Sequence, residues 1–99
     1  MAERAVQTDN EPSVDELREE IDQIDSQLLG MLNRRTELAL TIGRIKHARR
    51  LPVHVPERER AILARLEALN TGPLPNDSVG EIFETIMSQM RRMEERLHH

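Results

Sequence analysis

Between Ser13 and Pro52 the chain contains no proline, and apolar residues recur three and four apart in alternation at Val14, Leu17, Ile21, Ile24, Leu28 and Met31 and, after one skipped position, at Leu38, Ile42 and Ile45. This period predicts one continuous amphipathic helix of about 37 residues, ended by Pro52. Its start is marked by Ser13-Val14-Asp15-Glu16, the spacing at which a serine hydroxyl and a glutamate carboxylate satisfy free N–H groups reciprocally. At about 1.5 Å per residue the helix is about 55 Å long. A compact chain of this size has a radius of gyration near ~13 Å. Its own chain therefore cannot cover the helix, and a second copy is the economical partner for a seam with this spacing.

The remaining sequence adds two shorter helices. Pro52 to Pro56 is a short connection, and Pro56 suits the first turn of a helix carrying Ile62, Leu63, Leu66 and Leu69. That helix ends near Asn70-Thr71-Gly72-Pro73. After Pro75, Asn76-Asp77-Ser78 offers N-caps for a third helix, with the stripe Val79, Ile82, Phe83, Ile86, Met87, Met90, Met93 and Leu97. Its methionines read as core filler. No period-two pattern and no internal repeat is present. The expected architecture is all-α, with three helices per chain in an intertwined homodimer; a polar tail occupies residues 1–12 and one helical domain residues 13–97.

Composition narrows the function. The 99 residues are 37% hydrophobic with a single aromatic, Phe83, so the core is small and aliphatic. Net charge is −4 from interspersed acids and bases, and Trp and Tyr are absent. Neither a basic footprint nor stacking platforms for nucleic acid are present. No segment reaches the ~20 apolar residues of a membrane span. Cysteine is absent, which fits a cytoplasmic protein. His47 and His54 lie across a proline-bounded turn with no shared face and do not read as a metal site; His98 and His99 are given no function.

Chemistry is suggested where the apolar pattern breaks. Position 35 should be apolar, and it is Arg35. A guanidinium on a seam costs desolvation unless an anion meets it. Lys46 follows eleven residues later, about three turns, and points within ~20° of Arg35. On the third helix Phe83, Met87, Met90 and Glu94 share a stripe, leaving a carboxyl among apolar neighbours. Gly43 in mid-helix costs about 1 kcal/mol against alanine, so it marks close packing or room for a ligand. Arg58-Glu59 falls in the first turn of the second helix. Read singly, Arg35, Lys46 and Glu94 also fit snorkelling or salt-bridged flank residues.

Taken in order, Leu17-Arg18-Glu19-Glu20-Ile21-Asp22, Arg34-Arg35-Thr36-Glu37-Leu38-Ala39, Ile42-Gly43-Arg44-Ile45-Lys46, Pro52-Val53 and Pro56-Glu57-Arg58-Glu59 resemble the all-helical (type II) chorismate mutases. The resemblance covers about residues 13–97. It implies a homodimer whose first helices pair, with two sites turning chorismate into prephenate for aromatic amino-acid biosynthesis. It further implies that Arg35 and Arg58 bind carboxylates, that Lys46 contacts a carboxylate and the ether oxygen, that Glu59 meets the ring hydroxyl, and that Arg18 comes from the other subunit. Spacing supports the last role independently, because Arg18 and Arg35 are about 25 Å apart along one helix.

Two positions depart from the family pattern. Val55 replaces a frequent aspartate that caps helix two and helps bind the hydroxyl; Glu94 stands where glutamine often donates a hydrogen bond to the ether oxygen. An ionised carboxylate has no proton to donate, so Glu94 is expected to act when neutral, favoured by burial and opposed by Lys46. Catalysis is thus expected from Lys46 and Glu94, and substrate binding from Arg18, Arg35, Lys46, Val55, Arg58, Glu59, Met90 and Glu94, with no metal or cofactor. Isochorismate-pyruvate lyase, which uses a similar cationic pocket, and a non-catalytic regulatory or dimerisation module are the alternatives.

Overall fold

The computed structural model describes residues 11–97, and among these every regular element is helical. Helix α1 spans Val14–Ala48, α2 Pro56–Leu69 and α3 Asn76–Leu97. Most of the expected tail, residues 1–10, and His98 and His99 lie outside the described residues. The chain divides into two compact units, one ending at Arg34 and the other beginning at Arg35. None of the described helices is long and apolar enough to cross a membrane.

In the first unit the capping box forms as its spacing dictates. The Ser13 N–H donates to Glu16 Oε1 at 2.9 Å, and the Glu16 N–H donates to Ser13 Oγ at 3.0 Å. Past this start the apolar stripe stays largely exposed, with Leu17 at 44%, Leu28 at 54% and Met31 at 72% of full accessibility. Apolar side chains aligned on one face and left open over several turns form the kind of patch at which interaction sites are found.

In the second unit α2 packs against α3. Among the described residues the buried side chains are Val79, Met87, Met90 and Glu94, all on α3, while Gly43 is the buried residue of α1. The expected stripe of α3 is thus trimmed. Ile82, Met93 and Leu97 are exposed, so Met93 is not core filler. The expected N-caps of α3 also differ: Asn76 is already helical, and the Val79 N–H donates to the carbonyl of Pro75. The Asn76 side chain instead accepts from Asn70 Nδ2 at 2.7 Å, and Asn70 also holds Leu74 O and the Gly72 N–H. One asparagine therefore ties the α2–α3 loop together.

Helix α1 ends four residues before Pro52, so proline is not what stops it. The Leu51 N–H donates to the Lys46 carbonyl at 2.7 Å and the Arg50 N–H to the His47 carbonyl at 3.1 Å, the paired bonds of a Schellman ending. This places Arg50 in the left-handed region, at φ 58°, where a side chain crowds the backbone and glycine is favoured. Arg50→Gly is expected to raise the free energy of unfolding by about 1 kcal/mol, measured by urea denaturation at fixed protein concentration. An unchanged or lower midpoint would show that the turn carries no such cost.

Candidate active site

The second unit carries a mainly apolar cavity of about 410 Å³ that is open to solvent. Helix α1 contributes Arg35, Leu38, Ala39, Ile42 and Lys46; the α1–α2 connection contributes Val53 and Val55; α2 contributes Arg58, Glu59 and Ile62; α3 contributes Met87, Met90, Arg91 and Glu94. Seven of the eight residues expected to bind substrate therefore surround one space. The eighth, Arg18, is exposed, stands on the 14–34 stretch of α1, and is not among the lining residues.

The register of α1 explains why Arg35 and Lys46 meet: eleven residues bring a helix back to nearly the same direction. Both are half-buried. Lys46 is further held by its own helix ending. Its carbonyl accepts from Leu51, and its Nζ donates to the Val53 carbonyl at 3.0 Å, so the ammonium is drawn across the connection into the cavity wall. Arg58 is placed by the first turn of α2, which opens on Pro56 with Val55 at the N-cap and no side-chain cap. Among the described residues neither Arg35 nor Arg58 takes part in an ion pair.

Glu94 is only 6% exposed. Its position accounts for Gly43: a Cβ at residue 43 would stand 2.9 Å from Glu94 Cγ and 3.3 Å from Cδ. Of the two readings of Gly43, close packing is the one realised, and what packs there is the acidic side chain itself. Met90, also buried, accepts a hydrogen bond from Thr36 Oγ1 at 3.3 Å from its sulfur. This α1–α3 contact sits beside the cavity and joins the two helices that carry Arg35 and Glu94.

Arg91 is a cavity residue that the sequence pattern does not single out. Its Nη1 donates to Glu59 Oε2 in a short ion pair, while His54 Nε2 lies 3.4 Å from Glu59 Oε1. A signal does exist: Arg91 follows Met87 by four residues and precedes Glu94 by three, the same helical spacing that draws attention to Arg35. Among the described residues no cluster of His, Cys, Asp or Glu is arranged to hold a metal ion.

In this all-helical chain Arg35, Lys46 and Arg58 line one largely apolar, solvent-open space together with the buried Glu94 carboxyl group, an arrangement able to hold a small anion through charge-assisted hydrogen bonds. The chain belongs to the chorismate mutase type II family, whose profile matches residues 17–95. It is 42% identical over 86 residues to a bifunctional chorismate mutase/prephenate dehydratase of Aquifex aeolicus, an alignment covering 83% of this chain and 24% of that protein. The chain thus spans about a quarter of the length of such bifunctional relatives. Its fold is similar to that of a chorismate mutase from Thermus thermophilus, with a TM-score of 0.83 at 35% identity over 84% of this chain and 94% of that one. It is also similar to the Helicobacter pylori chorismate mutase in complex with prephenate, with a TM-score of 0.78 at 31% identity over 84% and 90% of the two chains.

The Gly43–Glu94 contact has a measurable consequence. Gly43→Ala should gain about 1 kcal/mol of helix propensity yet lower stability, because forcing a methyl against Glu94 Cγ costs about 1–3 kcal/mol. In a Glu94→Ala background the same substitution should be neutral or stabilising. Urea midpoints of the four proteins of this cycle check it; a Gly43→Ala effect independent of residue 94 would contradict the packing.

Proposed function

We propose that this chain is a chorismate mutase that converts chorismate to prephenate, serving aromatic amino-acid biosynthesis. The observation that carries the reading is the convergence of Arg35, Lys46, Arg58 and Glu94 on one apolar cavity. The reaction is an intramolecular [3,3] rearrangement, with a C–O bond breaking as a C–C bond forms. Holding the substrate with its side chain over the ring removes part of the entropic barrier. Arg35 and Arg58 do this by binding carboxylates through charge-assisted hydrogen bonds. Lys46 leaves the Val53 carbonyl to meet the ether oxygen, where negative charge grows in the transition state. Glu94, protonated in its buried position, donates to the same oxygen.

The working unit is a homodimer in which the exposed stripe of α1 pairs with its counterpart and Arg18 enters the partner's site. Its support is the row of half-exposed aliphatic side chains from Val14 to Met31 and the reach along one helix from Arg18 to Arg35, about 25 Å. Sedimentation equilibrium should return twice the mass of one chain; a monomer at micromolar concentration would remove the dimer from the account.

The function is tested by offering purified protein chorismate and isochorismate and following prephenate and salicylate separately. Prephenate from chorismate is expected. Salicylate from isochorismate would make the chain an isochorismate-pyruvate lyase, and a folded dimer inert towards both at every pH would make it a regulatory or dimerisation module. Activity should fall as pH rises through the titration of Glu94, and Glu94→Gln should abolish that fall. The same pH profile in both proteins would exclude Glu94 as the proton donor.

A further inference from the structure

We propose that Arg91 is a positioning residue and a determinant of substrate recognition: its guanidinium fixes the carboxylate of Glu59 for the ring hydroxyl, an ordering that Val55 does not supply. The inference rests on the mutase reading above.

Its basis is the place of the Glu59–Arg91 pair. The two residues come from different helices, α2 and α3, and both are about a quarter exposed. Both line the substrate cavity, and both also line a neighbouring, more polar cavity of about 630 Å³ whose wall includes His54, Glu84, Thr85 and Ser88. The ion pair is therefore a partition shared by two spaces. A glutamate here has three side-chain torsions and two spaces into which it can turn, so its unbound rotamers must be restricted if it is to accept a hydrogen bond at a fixed point. Arg91 takes Oε2 and His54 stands 3.4 Å from Oε1, so the carboxylate is held from α3 and from the α1–α2 connection at once.

Residue 55 makes this ordering matter. Val55 lines the cavity but its side chain offers neither acceptor nor donor, and Glu94, the other carboxyl group of the lining, is buried against Gly43. Glu59 is left as the acceptor for the hydroxyl at the α2 end of the cavity. Because the ion pair is partly exposed, it adds little to stability; its effect is on geometry. Without Arg91, Glu59 turns toward the outer cavity and water, and the hydroxyl loses its acceptor.

The experiment compares wild type, Arg91→Met and Arg91→Lys, each alone and combined with Val55→Asp, using chorismate and an analogue lacking the ring hydroxyl. Helical content by circular dichroism is recorded for every protein. Arg91→Met should lower kcat/KM for chorismate by about ten- to a hundredfold while leaving that for the deoxy analogue nearly unchanged, and Arg91→Lys should recover part of the loss. With Val55→Asp present, a second acceptor stands beside the hydroxyl and the loss should shrink. Equal losses on both substrates, or full additivity with Val55→Asp, would overturn the positioning role. An active wild type with an indifferent Arg91 variant sinks this inference alone. An inert wild type sinks the mutase reading and this inference with it.

Discussion

The apolar stripe of α1 sets the terms for the rest of the molecule. Alternating three-and-four spacing demands a covered seam, yet from Val14 to Met31 the side chains on that stripe remain about half exposed or more. Burying such a residue is worth about 1.5–3 kcal/mol, and among the described residues only Val79, Met87 and Met90 are buried apolar side chains, so a second copy laid along the stripe, as proposed, would supply stabilisation that these residues do not. In the proposed dimer, pairing the seams and delivering Arg18 to the partner's site are one event, and function then depends on association.

At the cavity, one small residue and one helix ending govern placement. Gly43 gives up helix propensity so that Glu94 can lie against α1 with its carboxyl group largely out of water; in the proposed reaction that group is the hydrogen-bond donor. The Schellman ending then holds Lys46 by its carbonyl and the Val53 carbonyl holds its ammonium, so the cation reaches the same space with no carboxylate partner among the described residues. In the proposed mutase, cations held this way stay available for the substrate's carboxylates, which suits a reaction that needs charge and orientation.

Much of this is legible in the residues. The capping box, the helix boundaries at Pro56 and near Asn70, and the convergence of Arg35 with Lys46 follow from spacing alone, because helical register is geometry. Glu94 stands out for the same reason, as a carboxyl group on an apolar stripe. Less visible are features decided by tertiary contact. Asn76 is already helical and its side chain accepts from Asn70 across the loop, and Met93 is exposed while Met87 and Met90 on the same stripe are buried. The ending of α1 at Ala48 depends on Arg50 accepting a left-handed conformation, which no local propensity favours. Arg91 escapes notice because an arginine on an amphipathic helix is ordinary until the helix facing it presents Glu59.

The measurement that reaches the central claim most directly is complementation between subunits. Arg18→Ala and Arg35→Ala homodimers, each with both sites damaged, are mixed under conditions where subunit exchange is followed independently. If two copies build each site, heterodimers carry one intact site, and chorismate mutase activity returns to about a quarter of wild type at statistical exchange in a two-fold dimer. No recovery with exchange confirmed would contradict a site assembled from two chains.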